Sequence, residues 1–326
     1  MASRSAFRIG TSGALVDAWI RSVPADPVTL DRFRRMVLLD PNFDPEGLRV
    51  AYHDDRVIAA TYAVRRRVPM VGDDLEPTQG WLPFLFVDPD HRRRGIGSAL
   101  LRDAMSWLAA NGRRQVDFGS YTPNYFVPGL DRARYPEAAA LLESHGFRTR
   151  YQAHAMDMSL VGYGWPAGIA ERMASRHAEG YSFSEPAPDE LVPLIRLAGD
   201  HFDPDWARAI REAVLAGTPL DRIVVARDPE KEVVGWAMCG TYDGVIERFG
   251  PFGVRTDLRG LGLGAILLHL ALHRMVALGA HSAWFLWTSE DSPAGRLYLR
   301  TGFRTSRVFD GMRAALPTAE ADGALG

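Results

Sequence analysis

Apolar and polar positions follow the same order of predicted elements twice along the chain. In the first half, the helical pattern over 15–36 is broken at Pro24 and Pro27, which predicts two helices. Periodicity further predicts strands at 48–52, 57–68, 81–87, 115–118 and 147–158, with helices at 97–110 and 136–144. The second half is predicted to contain strands at 181–184, 223–226, 233–239, 245–254, 283–288 and 303–309, with helices at 190–198, 205–216, 264–278 and 293–300. Each half is therefore predicted to be mixed α/β.

Two sequence landmarks recur in both halves. The first is a strand-like run that ends at a valine and is followed by a polar loop and the turn Arg-x-x-Gly-x-Gly, at 92–97 and at 259–264. The second is Gly-Phe before a later strand, at 146–147 and at 302–303. The landmarks lie farther apart in the first half, where 121–135 is the extra segment. We interpret the chain as one duplicated fold with an insertion in its first copy.

The length of 326 residues favours two domains. We place the N-terminal domain at 1–160 and the C-terminal domain at 181–316. Between them, 161–180 contains clustered glycines and a proline and is predicted to be a linker. The small residues of 317–326 predict a flexible tail.

The Arg-x-x-Gly-x-Gly turn is suited to binding a phosphate. Backbone N–H groups at the start of a helix lack partners within the helix, and the helix dipole favours an anion there. Glycines let the backbone approach the phosphate closely. Arg92 and Arg259 are each placed to add a charge-assisted hydrogen bond, and Arg93 and Arg94 to reach a further phosphate, such as a ribose 3′-phosphate. A simple glycine turn between strand and helix is the alternative, and its repetition in the same context argues against it.

The turn is not a Walker loop, since no Gly-Lys-Ser/Thr follows, and its glycine spacing is not that of a dinucleotide fingerprint. A strand ending at Val87 or Val254, the turn and the later Gly-Phe together resemble the GNAT acetyltransferase superfamily. The resemblance covers nearly the whole chain, as two GNAT domains in tandem. It implies the acyl-CoA N-acyltransferase fold in each half, a mostly antiparallel sheet flanked by helices. It also implies that acetyl-CoA lies in a V-shaped gap between two splayed parallel strands.

The resemblance also implies which residues bind acetyl-CoA. The strand ends pair with the pantetheine through their backbone, and the loop amides hold the pyrophosphate. The implied residues are Phe86, Val87, Arg92, Arg93, Arg94, Gly95, Ile96, Gly97 and Ser98 in the first half, and Phe252, Val254, Arg259, Gly260, Leu261, Gly262, Gly264 and Ala265 in the second. We expect no metal ion to be needed.

Direct acetyl transfer needs a base for the amine and an acid for the leaving thiolate. In the family, a tyrosine four residues before the glycine of Gly-Phe often serves as this acid. That position is Tyr298 in the second half and Leu142 in the first, which cannot donate a proton. Glu247, on the predicted strand leading to Val254, is the candidate base. The alternatives are that Tyr298 only packs its ring and that Glu247 is a solvated strand residue.

The insertion at 121–135 is rich in aromatic residues and turn formers. The insertion follows the strand that comes after the coenzyme helix. In the GNAT fold, the segment at this point of the chain lies near the acyl end of the cofactor. We therefore expect it to line an acceptor site, with Asn124, Tyr125 and Asp131 as substrate-binding groups. A loop that packs the two halves together is the alternative.

The composition of the chain limits which classes of binding partner we expect. A net charge of −2 offers no basic field for nucleic acid or an anionic membrane. No run approaches the length of a membrane span, and 1–10 lacks the apolar core of a secretory signal. The single cysteine, Cys239, lies in an apolar run and is expected to be a buried hydrophobe in a reducing compartment. We expect a cytoplasmic protein, either a monomer whose halves form a pseudo-dimer or a homodimer.

The sequence thus predicts an N-acetyltransferase that moves an acetyl group from acetyl-CoA to the amine of a small molecule. Both loops are expected to bind coenzyme, and the second half to carry the chemistry. Two alternatives stay open: a CoA-binding regulatory or scaffold protein without turnover, and an acetyltransferase that modifies proteins.

Overall fold

A computed structural model describes residues 3–6 and 11–317. The described chain divides into two compact units. The first contains the residues up to Ala153 and those from Val308 onward, and the second is His154–Arg307. The predicted flexible tail lies, apart from Pro317, outside the described residues, as does most of the segment 1–10.

The first unit is built on one sheet with four helices. Its strands are β1 (Ser3–Ala6), β2 (Leu48–His53), β3 (Arg56–Val64), β4 (Gln79–Val87) and β5 (Gln115–Phe118). The helices are α1 (Ser12–Ser22), α2 (Leu30–Phe33), α3 (Ile96–Ala110) and α4 (Pro136–Ser144). β1 to β4 pair antiparallel in chain order, and β4 pairs parallel with β5. β6 (Arg148–Ser159) begins in this unit.

The end of the chain completes the first unit. β12 (Arg304–Ala315) pairs antiparallel with β5, from Met312 opposite Phe118 to Ala315 opposite Gln115. Arg313 ion-pairs with Asp117 across these two strands (Nε–Oδ1 2.6 Å). The last strand of the sequence is thus part of the first sheet.

The second unit repeats the plan. Its helices are α5 (Ile169–Ala178), α6 (Leu191–His201), α7 (Pro204–Leu215), α8 (Leu263–Ala277) and α9 (Pro293–Thr301). Its strands β7 (Ser182–Ser184), β8 (Ile223–Arg227), β9 (Val233–Cys239) and β10 (Phe249–Val254) pair antiparallel in the order β10-β9-β8-β7. β11 (Ser282–Phe285) pairs antiparallel with the end of β6.

Each sheet buries both faces because its strands carry apolar residues on both sides. In the first unit, α1 and α2 pack on one face and α3 and α4 on the other. In the second unit, α6 and α7 cover one face and α8 and α9 the other. Cys239 is buried in the second core as predicted, and burial raises the pKa of its thiol to about 11.

Several predicted elements differ from the structure, among them the last two strands, which are predicted at 283–288 and 303–309 and observed at Ser282–Phe285 and Arg304–Ala315. β3 ends at Val64 rather than near residue 68, because the Asn42 side-chain oxygen accepts the N–H groups of Arg67 and Val68. The strand predicted over 245–254 begins only at Phe249. The segment 161–180, predicted as a linker, contains α5. Among the described residues, no helix is long and apolar enough to cross a membrane.

Candidate active site

The two Arg-x-x-Gly-x-Gly turns have the same backbone conformation. Arg92 (φ −66°, ψ 165°) matches Arg259 (φ −64°, ψ 150°). The glycines that cap α3 and α8, Gly95 (φ 76°) and Gly262 (φ 79°), are both left-handed, which favours glycine there. The sequence repeat therefore produces a structural repeat in which each turn presents the first amides of a 15-residue helix.

A gap between parallel strands opens beside each turn. In the first unit, the parallel register of β4 and β5 ends at Leu82 and Phe118, while β4 runs on to Val87. In the second unit, β10 and β11 meet at an isolated parallel bridge between Arg248 and Trp284, and β10 runs on to Val254. Each turn thus follows a strand end that has left its parallel neighbour, which is where α/β sheets bind ligands.

The side chains around the first turn are already engaged. The Arg92 guanidinium donates to the carbonyl oxygens of Val87 (3.1 Å) and Ser22 (2.9 Å). Ser98 Oγ and His145 Nε2 lie 2.8 Å apart. In the described part of the chain, the exposed Arg259 has no side-chain hydrogen bond or ion pair. The guanidinium of Arg259 at the second turn is therefore available to a ligand, whereas that of Arg92 at the first turn is hydrogen-bonded to backbone carbonyls.

Aromatic side chains fill one face of β4 beside the first gap. The Trp19 ring of α1 lies 4.7 Å from that of Phe84, 5.7 Å from that of Phe86 and 4.9 Å from that of Phe126, which comes from the insertion. All four side chains are buried. On the other face, Leu142 is buried at the position predicted for the acid. The first gap is closed on the α1–α2 face by the unit's own side chains.

The second unit has small residues where the first has these aromatics. Counting back from the matched valines 87 and 254, Phe84 corresponds to Pro251 and Phe86 to Gly253. Phe202, at the end of α6, covers Gly253 so closely that a Cβ there would lie 2.7 Å from the ring. This face of β10 is thus lined by a loop between two helices rather than by its own large side chains.

Tyr298 lies on the other face of the second gap. Its ring centroid is 4.5 Å from that of Phe285 on β11 and 6.0 Å from those of Phe249 and Phe252 on β10. Its side chain is buried, and burial raises the pKa of its phenol above the ordinary value. A phenol that stays protonated between two splaying strands is suited to giving a proton to a leaving thiolate.

Glu247 does not lie on a strand. It precedes β10 in a turn, where its backbone oxygen accepts the N–H of Trp284 (2.9 Å). The prediction that Glu247 lies on the strand leading to Val254 is therefore wrong. Its side chain is half-buried, and its role as a base stays a prediction.

The insertion packs on the sheet of the first unit, where Asn124 and Asp131 have contacts that the structure shows in detail. Asn124 Nδ2 donates to Asp40 Oδ2 (3.0 Å). Asp131 accepts the Arg134 N–H (3.1 Å) and ion-pairs with the Arg134 side chain. Tyr125 is half-buried in the same loop. The structure gives Asn124 and Asp131 local structural contacts, and acceptor binding by the three residues stays a prediction.

Sequence patterns did not single out Arg172, which lies against the second turn. A Cβ built on Gly262 would lie 2.7 Å from Arg172 Cδ and 2.9 Å from Nη1. Burial lowers the pKa of His269 on α8, and the charge of Arg172 lowers it further. Helix α5 thus brings a positive charge to the loop. Arg172 is identified by its position beside the second turn in the structure and not by a sequence motif.

Replacing Arg172 by alanine is expected to weaken binding of coenzyme A to the second unit about fivefold. The reason is that an exposed guanidinium beside a pyrophosphate contributes a partly screened charge-assisted hydrogen bond. Isothermal titration calorimetry with coenzyme A measures the change. Arg176→Ala is the matched control, since Arg176 lies one turn farther along α5 and pairs with Glu179. Equal affinities of the two variants would show that Arg172 does not contact the coenzyme.

Family comparisons agree with this geometry. A model described as "Acetyltransferase (GNAT) domain" matches residues 44–149, and one described as "Acetyltransferase (GNAT) family" matches residues 188–303. The mycothiol acetyltransferase of Clavibacter michiganensis subsp. michiganensis is 28% identical over 281 residues, 83% of this chain and 81% of the relative. That of Clavibacter sepedonicus is 27% identical over 230 residues, 69% of each chain. Each family model covers one of the two Arg-x-x-Gly-x-Gly turns.

Solved structures share the fold. A GCN5-related glucosamine N-acetyltransferase region of a fungal multi-domain β-N-acetylglucosaminidase matches with a TM-score of 0.78 at 21% identity over 96% of this chain, which spans only 38% of that longer chain. A tandem GNAT protein from the clavulanic acid biosynthesis pathway matches with a TM-score of 0.65 at 15% identity, over 98% of this chain and 100% of that one. GNAT acetyltransferases use acetyl-CoA as their donor. The chain belongs to the GNAT family and is an N-acetyltransferase with two GNAT domains in tandem.

Proposed function

We propose that the second unit transfers an acetyl group from acetyl-CoA directly to the amine of a small molecule. The observation that carries the proposal is the difference between the two gaps. The second has a buried tyrosine, Tyr298, at its inner face and an unengaged Arg259 at its turn. The first has Leu142 and an Arg92 that is bound to backbone carbonyls.

The proposed reaction is one displacement. The amine nitrogen, after losing a proton to a base, attacks the thioester carbonyl carbon, and the C–S bond breaks as the C–N bond forms. The thiolate takes a proton from Tyr298, so that the products are an N-acetyl amide and the free thiol of coenzyme A. The tyrosinate then regains a proton from solvent, and the base releases to solvent the proton that it took from the amine. Glu247 is the candidate base, directly or through water. The amides at the start of α8, with Arg259 and Arg172, hold the pyrophosphate.

We propose that the first unit binds coenzyme without turnover. Its turn keeps the backbone conformation of the second, which supports binding. The aromatic side chains Trp19, Phe84, Phe86 and Phe126 occupy the face from which an acceptor would approach, which argues against catalysis. The first unit would then have the role of a coenzyme-binding scaffold, while the second unit carries the reaction.

A small-molecule acceptor fits better than a protein. The relatives named mycothiol acetyltransferase point to a small molecule, and one of them matches over 83% of this chain. At 25–28% identity they do not fix the acceptor of this chain. The buried Cys239 supports a reducing cytoplasm. A monomer or a homodimer is equally compatible with the described units.

The test is thiol release from acetyl-CoA, followed with a thiol reagent across a panel of small amines and lysine peptides. We expect coenzyme binding at micromolar to submillimolar concentrations by isothermal titration and turnover with a subset of the small amines. Turnover confined to the peptides would favour a protein-modifying enzyme. Coenzyme binding without thiol release from any member would favour a scaffold without turnover.

A further inference from the structure

Within residues 3–6 and 11–317, the charge of the buried Arg248 has no anionic partner. Only 7% of its surface is exposed. Its guanidinium carbon lies 4.1 Å from the ring centroid of Tyr242 and 5.6 Å from that of Trp284. Among the described residues, these two rings are its only side-chain partners. None of its guanidinium nitrogens is a fully buried atom that lacks a hydrogen bond, so they can be reached from solvent. A largely buried guanidinium gains from an anion that pairs with it, so the arrangement points to a partner that the chain itself does not supply.

The other two buried arginines have oxygen partners, although Nη1 of Arg66 and Nε of Arg113 are buried without a hydrogen bond. Arg66 pairs with Glu76 and donates to the Thr122 carbonyl oxygen (3.0 Å). Arg113 donates to the carbonyl oxygen of Pro77. Arg248 has neither a carboxylate nor a carbonyl partner in the described ranges, and a cation–π contact with an aromatic ring does not use the hydrogen-bonding capacity of the guanidinium N–H groups. Its N–H groups are therefore free for a planar, two-oxygen ligand.

Arg248 stands at the point where β10 and β11 begin to diverge. It forms the bridge to Trp284, one residue before Phe249. Phe249 and Phe285 contact Tyr298 on one face, whereas Arg248 and Trp284 contact each other on the opposite face. In the first unit the matching residue is Trp81, whose ring centroid lies 5.3 Å from that of Tyr121 and 4.9 Å from the guanidinium carbon of Arg66. The first unit thus also has a buried arginine beside this position, but Arg66 is paired with Glu76, whereas Arg248 has no carboxylate partner in the part of the chain that the structure describes.

We propose that Arg248 binds the carboxylate of the acceptor, so that the substrate is an amine that also bears a carboxylate. A bidentate pair between the guanidinium and the carboxylate would neutralise the buried charge and orient the amine toward the gap. This inference rests on the proposed function, because it assigns the acceptor class of the same site.

The experiment compares matched amines, each a carboxylate and its neutral amide, such as amino acids and amino acid amides. For the wild type, kcat/KM for the acids should exceed that for the amides by about 30-fold or more, the size expected for a buried charge pair. In Arg248→Gln the preference should disappear. Arg248→Lys should retain part of it, because the charge stays while the fork is lost. Arg208→Gln, which removes a charge paired with Glu212 on α7, should leave the preference unchanged.

Each result of these measurements either supports or contradicts the assignment of Arg248. The acid–amide comparison within the wild type needs no variant to fold, and turnover without preference for acids overturns the inference while the proposed function stands. If no amine is acetylated, the proposed function fails. Titration of the same acids into coenzyme-loaded protein then still tests Arg248, since binding by the wild type and not by Arg248→Gln supports the inference, and equal binding contradicts it.

Discussion

Gly264→Glu should abolish acetyl transfer, whereas Gly97→Glu should leave it within about twofold of the wild type. Both residues are the second of a coenzyme helix, in turns of the same backbone conformation. At Gly264 a Cβ would lie 3.4 Å from Phe252 and 3.7 Å from Leu297, which leaves room for a side chain only toward the loop. A carboxylate there competes with the pyrophosphate for the same amides, and we expect coenzyme affinity of the second unit to fall by about 100-fold or more.

The pair of variants is its own control because both introduce the same charge at the same place of the repeated turn. Gly97 is slightly more crowded, with a Cβ position 3.1 Å from Leu141, so thermal unfolding must show that both variants are folded. Turnover by thiol release and binding by calorimetry are then measured on each. If Gly97→Glu were inactive and Gly264→Glu active, the roles that we assign to the two units would be reversed.

Tyr298→Phe should lower kcat by about 10- to 1,000-fold while the coenzyme dissociation constant changes little. Phenylalanine keeps the ring contacts with Phe249, Phe252 and Phe285, so the fold should be retained and only the hydroxyl is lost. Since burial raises the pKa of Tyr298, the wild-type kcat should not fall between about pH 7 and 10 through loss of this proton.

Tyr181→Phe is the control for this experiment. Tyr181 packs against the same core and loses the same hydroxyl on substitution, but it lies outside the gap. We expect it to retain the wild-type kcat. An unchanged kcat in Tyr298→Phe would mean that Tyr298 only packs its ring, which is the alternative that its buried aromatic surroundings leave open.

Much of the fold could be predicted from short sequence patterns, because the backbone preferences and apolar periodicity behind them act between residues that are close in the chain. The helix caps at Gly95 and Gly262 follow from glycine's access to left-handed backbone, and the repeated elements follow from apolar periodicity. The family comparisons confirm the tandem GNAT architecture that these patterns indicated. The pairing of β12 with β5 was not predictable in this way, because it joins residues from opposite ends of the chain.

The site was predictable only where a motif marks it. The turn and the position of Tyr298 can be found in the sequence, since both are defined by spacing along the chain. Arg92 has the same motif position as Arg259, yet a carbonyl of α1 holds its guanidinium, and no local pattern encodes that contact. Arg172 and Arg248 matter through what lies beside them in space, namely Gly262 in one case and two aromatic rings in the other.

A crystal structure of the protein with acetyl-CoA bound is the most direct test of the central claim, that the second unit carries the reaction. We predict the pyrophosphate on the amides of 260–265 and the thioester in the gap between β10 and β11, with its sulfur within hydrogen-bonding reach of the Tyr298 hydroxyl. Coenzyme in the first unit as well would agree with the scaffold role proposed for it. Acetyl-CoA bound only at the turn of 92–97, with the gap beside Tyr298 empty at saturating concentration, would contradict the account.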